Sequence, residues 1–362
     1  MRAALPFCVV VLSLCSVALK AQDARAGFDV RAVFSAQTAE SSLSTNSPRR
    51  GLPATAGYRL VLYPTWKFTD NWSITAALQS VSRPYFRESL STKNYGIEDN
   101  ILQGTLNYSL ISDKGSLQIR VGELSSAFGS FLLRYDDANN PLVGMPTQYG
   151  YYYKPVSTLG LAGAQIDTTR HKWDGRLQVT NSSPANPRSI FTSDQYLNWT
   201  VGGGYAIRQG LRVGASFYRG PYLYRQYPFF FPGEGRPKSL PAHATGFDVE
   251  WARGHWNAQG EWQSFLMPYK LLPDFHEQAG YGEVKRVLNA RWYVAQRSGY
   301  LHSSSSGYSE TFEEAVGFRP DRLQVIKAGY ELQHFHQGAH ALQNTFTVQL
   351  VTAFHLFSLA RN

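Results

Sequence analysis

The sequence has only two cysteines, Cys8 and Cys15, among its 362 residues. Both lie in the first fifteen residues, which excludes a disulfide framework or a thiolate metal site in the rest of the chain. Beyond that first segment, the sequence lacks an apolar run of about 18 residues, which excludes membrane-spanning helices. A chain that enters a membrane without such helices has to form a closed β-barrel.

The first 26 residues have the features of a secretory signal peptide. Arg2 provides a positive start, residues 7–14 form a short apolar core, and Ala21 and Ala26 offer cleavage points. A lipoprotein signal at Cys15 is the weaker alternative, because Leu14 stands where a small residue is expected. We therefore predict a signal peptide over 1–26, cleaved after residue 21 or 26, and a single domain over 27–362.

Alternation of apolar and polar residues is the main pattern that is present. In the run 344–357, Phe346, Val348 and Leu350 alternate with Thr347 and Gln349, as in a strand with one apolar face. Its length suits a tilted membrane-spanning strand. The mean hydropathy of −0.30 agrees with a barrel, which exposes only every second residue to lipid.

Repeating this test along the chain predicts sixteen strands, connected alternately by tight turns and by longer polar loops. The second strand contains Pro64, which indicates a bulge or an edge. The predicted strands are 28–37, 57–68, 72–81, 97–110, 115–125, 158–169, 173–181, 195–207, 211–218, 243–253, 256–266, 278–287, 291–300, 308–318, 322–333 and 344–357.

Four tryptophans follow tight turns at equivalent places: Trp72, Trp173, Trp256 and Trp292. Such a set is typical of the aromatic girdle at one membrane interface. The predicted fold is therefore all-β: a 16-stranded antiparallel transmembrane β-barrel with short periplasmic turns and long extracellular loops. A soluble sandwich or propeller is the alternative. A 16-stranded barrel is wide enough for a water-filled channel.

Several cations fall on the predicted inner face, where they favour a mild preference for anions. Pairing with inward carboxylates, such as those of Asp248 and Glu261, would instead leave the channel unselective. The candidate pore-lining cations are Arg31, Arg59, Lys67, Arg120, Arg176 and Arg212.

The third long loop, 125–157, is rich in apolar residues, which predicts that it folds inward and constricts the channel. Packing outward against other loops or lipopolysaccharide is the alternative. Its candidate constriction residues are Phe128, Gly129, Arg134, Asp136 and Asp137.

Two segments carry a family resemblance. Residues 122–129, Gly-Glu-Leu-Ser-Ser-Ala-Phe-Gly, resemble the Gly-Gln-x-x-x-Pro-Phe-Gly stretch of phosphate-selective outer-membrane porins, with Ala127 where proline is usual. Residues 315–330 and 344–357 resemble the C-terminal hairpins of those porins, although Ser-Leu-Ala-Arg-Asn follows the aromatic Phe357. The resemblance implies a 16-stranded, usually trimeric barrel narrowed by its third loop. It carries over no phosphate site.

We therefore predict a bacterial outer-membrane porin that passes small hydrophilic solutes, contacts lipid and lipopolysaccharide, and forms a homotrimer. The alternatives are a carbohydrate channel that uses aromatic residues of the loop 219–243, a barrel enzyme, and an adhesin or structural barrel. No catalytic residues, cofactor or nucleic-acid partner are predicted, because the sequence has no Gly-x-Ser-x-Gly motif and no compact basic patch. No metal site is predicted at His334, His336 and His340, since the sequence shows no nearby carboxylate or cysteine.

Overall fold

A computed structural model describes most of the chain from residue 26 onward. Within the described ranges, no helix is long and apolar enough to cross a membrane. The predicted signal peptide, 1–26, lies almost entirely outside the described residues. These are 26–42, 54–82, 85, 96–133, 135–150, 156–157, 160–181, 196–223, 233, 235–304, 307–336 and 341–360.

Sixteen strands close into one antiparallel barrel, in which β1 pairs with both β2 and β18. β6 and β7 are not part of its wall but form a small parallel pair between β5 and β8. A short 3-10 helix spans Pro237–Ser239. The strands are β1 Gly27–Ser41, β2 Ala54–Lys67, β3 Trp72–Ser82, β4 Ile97–Ser112, β5 Gly115–Leu124, β6 Tyr149–Gly150, β7 Val156–Ser157, β8 Leu161–Arg170, β9 Trp173–Thr180, β10 Asn198–Arg208, β11 Leu211–Pro221, β12 Pro241–Arg253, β13 Trp256–Met267, β14 Phe275–Val287, β15 Trp292–Ser303, β16 Gly307–Phe318, β17 Gln324–Phe335 and β18 Ala341–Ala360.

The predicted fold class and strand order are confirmed. Some connections at the long-loop end are shorter than predicted, and the β15–β16 connection is one of them. β15 and β16 extend until Ser303 pairs with Gly307, so only residues 304–306 connect them, where a long loop was predicted. Gly307 has a φ of 73°, a backbone conformation that glycine adopts without a steric penalty. Pro64 lies where the β2–β3 register is interrupted between Leu62 and Thr65, as expected for a residue without an N–H.

The alternation of the strands separates an apolar outer face from a polar inner face. On β9, Leu177 and Val179 point outward and are 45% and 38% exposed, whereas Gln178 between them points inward and is buried. The four predicted girdle tryptophans are all exposed at the short-turn end of the barrel. Three of them pack against a neighbouring aromatic ring: Trp72 on Tyr108, Trp173 on Tyr205 and Trp292 on Phe318.

The outer face predicts how the barrel responds to a charge placed in lipid. We expect Leu177→Arg to lower the free energy of unfolding by about 2–4 kcal/mol, because Leu177 lies four residues along the strand from Trp173, near the bilayer centre. Leu110→Arg, on the same outer face but at the short-turn rim, is the matched control and should cost about 0–1 kcal/mol. Urea unfolding in lipid vesicles measures both, and equal costs would contradict the assignment of a lipid-facing band.

Candidate functional site: the lumen loop and the channel wall

The chain between β5 and β8, residues 125–160, is here called the lumen loop, because its described residues contact the inner wall of the barrel. It turns inward at Phe128 and Gly129. Gly129 has a φ of 77°, and a Cβ there would lie 2.2 Å from both Glu261 Oε1 and Tyr149 OH. The position therefore requires glycine. Its backbone is held on both sides, since its N–H donates to Ser216 Oγ and its carbonyl accepts from Arg176 Nη2.

Two apolar clusters fix the lumen loop against the wall. Burial of such surface stabilises the contact by roughly 25 cal/mol per Å². In the first cluster, loop residues pack on β11, β13 and β14: Phe128, Phe131 and Tyr149 meet Tyr218, Phe265 and Tyr281. In the second, Leu142 packs on β1, β15, β17 and β18, against Val33, Tyr293, Val325 and Val351. The loop therefore fills the side of the lumen that faces β11–β18 and β1.

Glu261 of β13 is a polar anchor for both halves of the lumen loop. Its Oε1 accepts from the Ser130 N–H at 3.0 Å, and both of its oxygens lie 2.8 Å from the donating Tyr149 hydroxyl. Gln263 donates to the same carboxylate and to the Tyr149 oxygen. Burying a polar group without such partners would cost a few kcal/mol, so these bonds fix the loop at this point.

Asp137 is the anchor on the opposite wall. Its carboxylate forms a buried ion pair with Arg59 of β2 at 3.0 Å. It also accepts hydrogen bonds from the hydroxyls of Ser35, Tyr85 and Tyr135 at 2.7–2.8 Å. The carboxylate is therefore fully engaged by groups from β1, β2 and the loops.

The surroundings of Asp137 favour its charged form. Burial raises the pKa of the carboxyl, but the positive charges of Arg59 and Lys327 and the hydroxyl donors outweigh burial and lower the pKa to about 2. A depressed carboxyl pKa gives stability that is present above the ordinary value of 3.8 and is lost as the pH falls through about 2. The anchor therefore persists at neutral and mildly acidic pH.

Two inward cations that the sequence analysis did not single out hold the middle of the loop. Lys327 of β17, which is fully buried, donates to the carbonyls of Asp137 and Leu142 at 2.6 and 3.2 Å. Arg297 of β15 pairs with Glu283 and Glu313 and donates to the Gly144 carbonyl. Alternation on β15 and β17 already puts both side chains inward, but periodicity gives no signal for their partners.

The six predicted pore-lining cations all lie on inner faces, in three kinds of environment. Arg59 and Arg176 are buried against the lumen loop. Arg120 pairs with Asp167 at 2.6 Å, and Arg212 pairs with both Asp174 and Asp248. Lys67 lies 3.8 Å from Asp70 at the short-turn end, and Arg31 lies over the ring of Tyr63.

The predicted constriction residues also differ in role. Phe128 and Gly129 form the inward turn, and Asp137 forms the anchor on β2. Asp136 is buried, and its Oδ1 accepts the Ala138 N–H at 3.0 Å within the loop itself. Arg134 lies outside the described residues.

A vestibule of about 610 Å³ lies between the lumen loop and the short turns. Ser130, Phe131 and Tyr135 of the loop border it on one side. Arg212 and Glu250 belong to its wall, 3.4 Å apart. The lining of the cavity mixes polar and apolar side chains.

No family model matches the chain, and no curated protein matches its sequence. Solved structures do match its fold. The outer-membrane channel DcaP of Acinetobacter baumannii has 9% identity over 93% of this chain and 100% of its own, with a TM-score of 0.62. Salmonella typhi OmpF, solved with daunomycin, has 8% identity over 93% and 100%, also with a TM-score of 0.62. The trimer form of the Vibrio cholerae outer-membrane protein OmpT has 10% identity over 91% and 100%, with a TM-score of 0.57.

This chain therefore has the porin fold. Its outward apolar band and its aromatic girdle fit a bilayer, as predicted for a barrel of the bacterial outer membrane.

Removing the charge of Asp137 should loosen the attachment of the lumen loop to the barrel wall. Asp137→Asn removes the charge that compensates the buried Arg59, and we expect the free energy of unfolding to fall by about 3–5 kcal/mol. Single-channel recordings should show larger current fluctuations, because the loop loses its attachment to β2. Asp136→Asn is the matched control, since an amide keeps the Oδ1 acceptor for Ala138. Equal behaviour of the two variants would contradict the anchoring role of Asp137.

Proposed function

We propose that the protein is a porin: a passive diffusion channel for small hydrophilic solutes across the bacterial outer membrane. The observation that carries the proposal is a closed 16-strand barrel with a polar inner wall and a vestibule beneath an inserted loop. A barrel of this size is wider than its own side chains can fill, so water occupies the remaining lumen. Porins of known structure share the fold.

The passage in this proposal lies off the barrel axis. The lumen loop fills the side of β11–β18 and β1 with its two apolar clusters. The remaining wall, formed by β3, β4, β5 and β8, presents short polar side chains and an ion pair that are only partly buried, among them Ser73, Thr75, Gln118, Arg120 and Asp167. Solutes therefore pass between this wall and the loop, and the loop sets the size limit.

Selectivity for charge is at most a mild preference for anions, which stays a prediction. Most of the inward cations have carboxylate neighbours, and the opposite charges of each pair largely cancel. Salt screens the remaining field over a Debye length of about 8–10 Å. Kinship with the phosphate-selective porins also stays a prediction. The carbohydrate alternative rests on an aromatic run, 222–231, of which residues 224–231 lie outside the described residues.

The proposed assembly is a homotrimer in contact with lipid and lipopolysaccharide. It is supported by the shared fold with a protein described in a trimer form. The mass of the protein extracted in mild detergent measures the assembly directly. A channel needs no catalytic group, so the proposal includes no enzymatic activity.

The proposed function predicts flux without turnover. Liposomes that contain the protein should swell in small sugars and organic acids, at rates that fall steeply with solute size, while esterase and peptidase assays on the same sample stay at background. Liposomes reconstituted with a heat-denatured sample are the control. Swelling no faster than in the control would contradict the channel, and turnover of a substrate would favour the enzyme alternative.

Arg212 provides a test of charge selectivity. Arg212→Gln leaves Asp174, Asp248 and Glu250 near the vestibule without this arginine, so the reversal potential in a salt gradient should shift toward cations. Arg286→Gln is the matched control, because Arg286 points outward over Trp256. A shift of the same size in both variants would contradict control of selectivity by the vestibule wall.

A further inference from the structure

Two histidines and a glutamate meet on the outer face of β16 and β17, at the long-loop end. His334 and His336 are two residues apart on and just beyond β17, and Glu310 lies directly opposite His334 in the β16–β17 register. Residues i and i+2 of an extended chain point to the same side, and directly paired residues of neighbouring strands are adjacent. The three side chains, here called the rim cluster, therefore share one face.

The geometry of the rim cluster directs three ligand atoms toward one point. Glu310 Oε2 lies 3.5 Å from His336 Nε2 and 4.0 Å from His334 Nδ1. All three side chains offer a ligand atom within 4.8 Å of the other two. The centroids of the His334 and His336 imidazole rings are 3.9 Å apart. A tetrahedral ion with bonds of about 2.0–2.1 Å separates its ligand atoms by about 3.4 Å, so small side-chain adjustments would complete the site.

A fourth residue orients the carboxylate. The Tyr308 hydroxyl donates to Glu310 Oε1 at 2.9 Å, which leaves Oε2 for the two histidines. The Tyr308 ring also packs 5.2 Å from the ring of His336. A hydrogen bond from outside the ligand set to the second oxygen of a ligating carboxylate is a common feature of metal sites.

We propose that Glu310, His334 and His336 bind a divalent transition-metal ion of the Zn²⁺ class. Two imidazoles and one carboxylate suit Zn²⁺, Cu²⁺ and Ni²⁺ better than Mg²⁺ or Ca²⁺, which prefer ligand sets made of oxygen. The sequence alone did not predict this site, because Glu310 is 24 residues from His334 in sequence and only the β16–β17 pairing brings it close.

The position of the rim cluster indicates what a bound ion would do. Glu310 is eight residues from Phe318, which packs on the girdle residue Trp292. At about 3.4 Å per residue and a tilt near 40°, the rim cluster lies roughly 20 Å from that girdle, at the opposite membrane interface. An ion there would join β16 to β17 where the strands leave the bilayer. It would stabilise this part of the rim without touching the passage.

Binding of Zn²⁺ to protein purified from outer membranes, without an affinity tag, tests the proposal. Equilibrium dialysis with metal analysis should find one Zn²⁺ per chain. Glu310→Gln, His334→Gln and His336→Gln should each weaken binding by more than about tenfold, and Tyr308→Phe by about tenfold through loss of the orienting bond. An excess of Mg²⁺ or Ca²⁺ should not displace the Zn²⁺.

His276→Gln is the matched control, since His276 is an exposed histidine of β14 outside the rim cluster. It should bind Zn²⁺ as the original chain does. All variants should retain the heat-modifiable gel mobility of a folded barrel and normal solute flux, which separates loss of the metal site from loss of the channel. Absence of stoichiometric Zn²⁺ binding, or equal weakening in His276→Gln, would overturn the proposal.

Discussion

The need to pair every backbone N–H and C=O inside a bilayer is the constraint on which this structure depends. A sheet with a free edge would leave a row of such groups in lipid, at several kcal/mol each, so β1 has to meet β18. Closure then fixes which residues face outward. The alternation of the strands gives lipid an apolar band and gives the lumen polar side chains, and the wide interior provides room for an inserted loop.

The same constraint explains why the barrel could be predicted from the sequence. The signals that predicted it are local in sequence. Period-two alternation and turn residues predicted the strand order and the inner and outer faces, and the four tryptophans predicted the girdle. A clear difference, the short β15–β16 connection, arises because cross-strand pairing continues through polar residues such as Ser303. The alternation of apolar and polar residues does not distinguish the polar end of a strand from a loop.

The contacts of the lumen loop could not be predicted in that way. Ser35 and Asp137 are 102 residues apart in sequence, and Lys327 and Asp137 are 190 apart. Alternation places Arg59 and Arg176 inside, but it does not distinguish a cation that faces water from one that holds a loop. The structure assigns these two to the loop, whereas Arg120 and Arg212 remain on the polar wall.

The attachment of the lumen loop to opposite walls has a mechanical consequence. A closed cylinder of sixteen strands encloses a lumen too wide for its own side chains to fill, so the side chains of the wall alone do not connect one side to the other. A segment fastened at Glu261 on one wall and at Arg59 on the other acts as an internal tie between them. The length of chain between these two attachments therefore limits how far the two walls can move apart.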